Sequence, residues 1–473
     1  MPSAPSPPVG QAVLLNGKPF PPASRFEVKL PAPRRTFFAA AGNESGDGSA
    51  NHPWNDLQAA LCALGPGDRL RVGGGKYPGG LRLAEACRDG EQNDPVQVVF
   101  DGKAKIGPGG EAAALTIRRT HWILVGLVLD LKESPAPGVS IEGPGGSHVT
   151  LDGARIAGGT GPCVRIGPGV THVTVSNARI SRKPLARGGP SAFGIEIAAE
   201  TAAIRVIRNH LSGNPAGSIR VDAPGDGGRA AHNLVLRGNA IRDDGATSIA
   251  IEAARGLRIE DNVVSDSLGR EGARGIVLGQ VRDVSVRRNQ ISGFAAAIQV
   301  GRASPDDAAS TVAEDVTIDR NFLEGMLPDS VGVDIEAGNR VRVANNVVDG
   351  YATGILVFGA PPQTQSVRVA NNLFLRLGDV AFALATPETA ILFDYNIFSA
   401  RSGAPSVQIG ANTRALADFL AQGTMPHSRL VPAAQILNRD LMRVSGAELV
   451  DAGVAISGIE SKGQAPDIGI AER

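Results

Sequence analysis

Five charged residues fall at outward positions of short alternating runs: Arg165, Glu196, Arg220, Asp222 and Glu252. In each run apolar side chains flank the charge, so the charge points away from whatever the apolar residues bury. A loop over residues 181–193 feeds the Glu196 run, and with Arg179 it brings Arg182, Lys183 and Arg187 but no acid. The loop before Gly275 adds Asp266, Arg270, Glu271 and Arg274. A basic wall over a mixed floor of acids and arginines suits an anionic polymer, because guanidinium groups pair with carboxylates in two-point fashion. Asp334 with Glu336 forms a second, purely acidic group, and Asp243-Asp244 lies in an RDDG loop next to the first set. The same residues would also make a salt-bridged ladder on a solvated sheet.

The elements that would position these side chains repeat. Eight segments end on a β-rich run, an asparagine and an apolar residue two places later, with asparagines at 209, 239, 262, 289, 321, 346, 372 and 396. The successive differences between those positions are 30, 23, 27, 32, 25, 26 and 24 residues. Such a period means one structural unit stacked many times. Each unit carries one strand signal before the asparagine, a short apolar pair after it, and a third signal about ten residues on, of the form small-apolar-x-apolar. GIEI (194–197), SIRV (218–221), GVDI (332–335) and GILV (354–357) are examples.

Three short strands per unit leave no room for a helix and exclude helical and strand–helix solenoids. The expected fold is therefore an all-β, right-handed parallel β-helix solenoid of about 12 coils, each about 4.8 Å above the last. Asparagines at one register position then stack, their amides satisfying one another and the turn backbone. The repeat runs back without asparagine through VTVSNARI (173–180) and VTLDGARI (149–156), where Ala178 and Ala154 take its place. The expected organisation is an N-terminal extension (1–45), a cap with the first strands (46–95), the β-helix (96–400) and an irregular C-terminal cap (401–473).

Composition agrees with a turn-rich solenoid: 60 Gly and 32 Pro in 473 residues, only 4% aromatic, and net charge +0. That balance gives no reason to expect nucleic acid or a membrane surface as partner, and a monomer is expected. Residues 53–64 read as a capping helix with Trp54, Leu57, Ala60, Leu61 and Leu64 on one stripe, and a second short helix is expected at 413–422. Cys62 and Cys87 flank the cap and are placed to pair; Cys163 sits on an apolar strand and reads as a buried free thiol. The opening MPSAPSPPVG lacks the basic-then-apolar pattern of a signal peptide. His121, His148 and His172 precede successive strands and are placed to stack.

The chain resembles bacterial right-handed β-helix proteins of the pectate lyase-like superfamily. The likeness is carried by the entry GDGSANHPWNDLQAALCALGPGDRLRVGGGKYPG (46–79), by the asparagine repeats, and by LADFLAQGTMPHS (416–428), LVDAG (449–453) and APDIGIAE (465–472) near the end. It implies a protein that is secreted, periplasmic or at the cell surface and engages a polysaccharide on the outer face of the third strand. The activities it spans are lyases, glycoside hydrolases, uronate epimerases and non-catalytic surface proteins. For a lyase, the uronate carboxylate must be neutralised and the C5 proton removed. The resemblance then implies Arg220 or Lys183 as base with Glu196 catalytic, and Ca²⁺ held by Glu196, Asp222 and Glu252. Arg165, Arg182, Arg187, Arg274, Asp243 and Asp244 would bind substrate, the two aspartates also being the best carboxylates for a hydrolase. The stretch 194–222 resembles the chondroitinase and alginate lyase branch, but Glu200 and Thr201 stand where that branch has a lysine, and Val221-Asp222-Ala223 where it has arginine-histidine-glycine.

Overall fold

The computed structural model describes residues 13–15, 18–20, 26–42, 46–182, 192–302, 311–325, 327–359, 362–385, 391–400, 405–431, 452–460 and 465–469. The chain divides into two compact units, residues 24–245 and residues 246–473 together with 1–23. Both are stacks of parallel strands.

In the 24–245 unit, successive coils contribute three strands each. Val149–Asp152, Arg155–Ala157 and Val164–Ile166 form one coil, and Thr174–Ser176, Arg179–Ser181 and Phe193–Ile197 the next. Each strand pairs in parallel with its counterpart one coil on. The stack starts earlier than residue 96: Arg35–Ala39 pairs in parallel with Asp68–Val72, which pairs with Val96–Phe100. Inward valines, leucines and isoleucines are sealed; Ile195, Ile197, Ile219 and Val221 are 0% exposed. Burying one such side chain is worth about 1.5–3 kcal/mol, which is why one column of them fixes the register.

The 246–473 unit follows the same plan with one departure. Its first two coils carry the long strands Thr247–Glu260 and Arg274–Arg287, each fusing a third strand with the first strand of the next coil. The fused strands pair along their length, Ile249 with Ile276 through to Glu260 with Arg287. Here the corner is turned without a break in pairing.

The asparagines are buried and joined by side-chain bonds. In the 24–245 unit Asn209 Nδ2 donates to Asn239 Oδ1 at 3.0 Å. In the 246–473 unit the chain of donors runs 262→289→321→346→372→396 at 2.9–3.0 Å. Each Oδ1 also accepts the backbone N–H of the preceding asparagine, and each Nδ2 reaches a strand carbonyl such as Val286 or Ile318. The residue before each of these asparagines has positive φ: Arg208 58°, Asp261 57°, Arg288 53°, Arg320 54°, Asn345 56°, Asn371 60° and Tyr395 57°, with Gly238 at 67°. A left-handed residue costs about 1–2 kcal/mol for most side chains, offset here by the bonds that the tight corner makes available.

The cap helix is shorter than the stripe suggested. It spans Leu57–Ala63, with Asp56 rather than Pro53 at its start; the Asp56 carboxylate accepts the Ala59 N–H at 3.1 Å. Trp54 lies before the helix, bridged to Ala39 and stacked on Phe37 with ring centres 5.1 Å apart. Cys62 and Cys87 form a disulfide, and Cys163 is free and buried. The second helix is Leu416–Ala421.

Candidate functional site

The third strand of each coil in the 24–245 unit points its middle side chain outward. Strand register puts Thr116, Ser140, Arg165, Glu196 and Arg220 directly opposite one another on successive rungs. Adjacent strands lie about 4.8 Å apart, so Arg165, Glu196 and Arg220 form a cation–anion–cation series within reach of one sugar residue. Arg165 is exposed and Glu196 half-buried. Asp222 follows two residues after Arg220, and its Oδ1 lies 2.8 Å from Arg220 Nε. The Arg220 guanidinium also sits 5.8 Å from the centre of the Phe193 ring.

Burial pushes the Glu196 carboxyl above its ordinary pKa, and the Asp222 charge adds to the rise; a backbone bond at Phe193 and the charges of Arg220 and Arg165 oppose it. Glu196 is thus more basic than a solvated glutamate. One column further on, Glu142 accepts from Ser140 at 2.7 Å and from Arg118 at 3.0 and 2.8 Å. These bonds, with Arg118 and Arg165 nearby, hold Glu142 below its usual range against its burial.

Several expected site residues do other work. Arg182 is only 8% exposed and turns inward, its guanidinium donating to the carbonyls of Gly161, Ala192 and Phe193 and to Cys163 Sγ. It ties residues 161, 192 and 193 together from within and turns away from solvent, because a buried guanidinium needs acceptors for its N–H groups and these carbonyls supply them. Asp244 is 2% exposed and accepts from the Asn214 backbone and side chain at 3.1 and 3.2 Å, so it closes a turn. Asp243 precedes it with φ 51°, a left-handed corner that aspartate tolerates. Asp244 is thereby committed to the turn, whereas Asp243 is half-exposed. Lys183 and Arg187 lie outside the described residues. Glu252 and Arg274 are exposed, in the 246–473 unit.

Among the described residues no group of three His, Cys, Asp or Glu side chains comes together to hold a metal ion. With Asp222 also ion-paired to Arg220, the described donors do not fit a resident Ca²⁺ ion, which takes six to eight oxygens. One contributor escaped the sequence reading: Phe193, whose ring lies under Arg220. The signal for Phe193 was available, since aromatic residues are scarce in this chain and this one opens a strand at the loop's end.

The model of the right-handed beta helix region matches residues 131–291 and 193–374, together just over half of the chain. The chain belongs to the right-handed β-helix family. Among solved structures it is similar to a PL6 family alginate lyase, AlyGC, with TM-score 0.58 and 13% identity over 84% of this chain. The match covers 53% of that lyase, so this chain spans about half its length. It is also similar to the Streptococcus pneumoniae surface protein and adhesin PfbA, with TM-score 0.51 and 13% identity over 69% of this chain and 94% of that one. At such identity these likenesses establish the β-helix and not an activity. No curated protein sequence matches. Among the described residues no helix is long and apolar enough to cross a membrane.

Proposed function

We propose that this β-helix protein is carbohydrate-active, binding an acidic, uronic-acid polysaccharide across Arg165, Glu196, Arg220 and Asp222 and cleaving it by β-elimination. The observation that carries the reading is the half-buried, more basic Glu196 held between two arginines on adjacent rungs. Arg165 pairs with the uronate carboxylate and withdraws charge from it, making the C5 proton more acidic. A guanidinium makes a poor base and a good carboxylate partner, so we assign Arg220, ion-paired with Asp222, to charge neutralisation and give the base role to Glu196. The C5–H pair becomes the C4=C5 double bond, the C4–O4 pair leaves with oxygen, and the proton passes from C5 through Glu196 to O4. Neutralisation by arginine makes calcium dispensable.

The test is incubation with alginate, polygalacturonate and chondroitin sulfate, following the ultraviolet absorbance of unsaturated ends with Ca²⁺ or with chelator. Glu196→Gln should lower the rate about 10²–10⁴-fold, the usual worth of a positioned base. Absence of absorbance from every polymer, together with binding that Arg220→Ala leaves unchanged, would sink the reading. Binding without cleavage would favour a non-catalytic glycan-binding surface protein. That second reading draws on the Arg118–Glu142–Ser140 set, whose charges are already satisfied within the protein. The setting expected for either activity is outside the cell, in the periplasm or at the surface.

A further inference from the structure

The first-strand face of the 24–245 unit carries a pocket close to the N-terminal cap. Register places Phe38, Arg71 and Val99 directly opposite one another on three successive rungs. Their strand neighbours Leu70 and Val98 are 0% exposed, so alternation turns Phe38, Arg71 and Val99 outward. Two apolar side chains with an arginine between them, on the outer side of the strands, add nothing to the interior. They line a pocket of about 370 Å³, completed by Pro53 ahead of the cap helix and by Phe100 and Asp101 at a strand end. Small-molecule sites run from about 300 to 1,000 Å³, so this one takes a single ring with its substituents rather than a chain.

The polar groups of the pocket are few and available. Arg71 is exposed, and its guanidinium has no hydrogen bond and no ion pair among the described residues. Asp101 Oδ1 accepts the backbone N–H groups of Lys103 and Ala104, at 2.9 and 3.0 Å, which fixes the carboxylate at its turn. Asp101 is exposed, and its Oδ2 accepts no hydrogen bond among the described residues. The pocket therefore offers a planar fork for a carboxylate, an apolar wall, and a separate acceptor for a hydroxyl.

We propose that this pocket binds a small hydroxyaromatic acid, its carboxylate on Arg71, its ring against Phe38, Val99 and Phe100, and its hydroxyl donating to Asp101 Oδ2. A guanidinium holds a carboxylate through two parallel bonds, so the free acid is bound and its ester is not. Contact with the Phe38 and Phe100 rings favours an aromatic body over an alkyl one. The Asp101 charge repels a second carboxylate, which selects a neutral donor for that end of the ligand.

The experiment titrates the full chain by calorimetry with 4-hydroxybenzoate and 4-hydroxycinnamate, against benzoate, methyl 4-hydroxybenzoate, tyramine and octanoate. At least one hydroxy acid should bind with Kd at or below about 1 mM. Benzoate should bind more weakly, and the ester and tyramine, which lack the carboxylate, should not bind. Arg71→Ala should weaken the hydroxy acid about 10–100-fold, the usual effect of losing a charged hydrogen bond. Arg71→Lys should restore part of that loss. Asp101→Asn keeps an acceptor for the Lys103 and Ala104 N–H groups and should narrow the advantage of 4-hydroxybenzoate over benzoate. The comparison of acid with ester needs no variant, so it decides the point even if a substitution disturbs the cap. Failure of both hydroxy acids to bind, an ester that binds as well as its acid, or octanoate binding as tightly overturns the proposal. The lyase reading is tested on polymers and third-strand variants, so either idea falls without the other.

Discussion

Asn321 shows what one residue contributes when the same position recurs in every coil. Its Oδ1 accepts the Asn289 N–H and amide, and its Nδ2 donates to Val286 O, Asp319 O and Asn346 Oδ1. Asn321→Ala leaves several of these groups buried and unpaired, at about 1–3 kcal/mol each. We expect at least about 3 kcal/mol lost in urea unfolding, and as much for Asn321→Asp, whose ionised carboxylate cannot donate to Val286 O. A mild effect for the aspartate would show that donation to that carbonyl matters little. The asparagines were legible in the sequence because this short side chain both donates and accepts at a buried corner, and the same residue therefore recurs there coil after coil. The left-handed residues before them were not, since Arg, Asp, Asn, Gly and Tyr all serve there and the conformation leaves no single residue type behind. Arg182 misled for a related reason: sequence shows a charge but not its direction, and this one points at carbonyls.

At the level of elements, the histidines before three successive first strands form a stack, His121 on His148 at 4.4 Å and His148 on His172 at 4.5 Å. Burial lowers the His148 pKa, and the neighbouring histidines lower it further. The folded state therefore binds fewer protons than the unfolded chain. Stability is whole above about pH 6.5, and declines as pH falls below it. His148→Asn, which accepts the same positive φ, should flatten that decline, as thermal melts between pH 5 and 8 would reveal. An unaltered pH dependence would place its origin elsewhere. The Cys62–Cys87 bridge ties the cap helix to the stretch after the Leu81–Leu83 strand across 25 residues. Closing a loop of that size stabilises by about 3 kcal/mol, so Cys62→Ser with Cys87→Ser should speed hydrogen exchange in residues 57–83 first. Equal protection in variant and wild type would make the bridge dispensable. The third-strand register could be read in advance because strand alternation has period two. The helix start could not, because proline and aspartate both open helices and only the Ala59 N–H bond chooses between them.

Across each stack, terminal segments lie over the first-strand face. In the 24–245 unit Pro31 O accepts from Arg69 and Gln97, and Arg205 sits over the Phe26 ring. In the 246–473 unit Val454 exchanges two bonds with the Asn371 side chain, both at 2.9 Å, and Ile456 packs with Ala344 and Ala370. Asn371→Gly keeps the left-handed corner but removes both bonds. The tail should then become cleavable by trypsin or thermolysin while the stack resists; a tail as resistant as wild type would show that apolar packing alone holds it. The column of amides has a further property. From Asn262 to Asn372 each backbone N–H and each Nδ2 donates to the Oδ1 of the next asparagine, so the column is a one-way relay that needs a recipient ahead. Asn396 has no asparagine beyond it within the repeat; its backbone N–H donates to the Ser428 hydroxyl at 3.0 Å, and its Nδ2 turns back to the carbonyls of Val369 and Asp394. That hydroxyl and those two carbonyls end the relay, much as a stop codon ends a message. Without the hydroxyl the Asn396 N–H would stand open to any chain arriving end-on, and one guard against fibre growth would be lost.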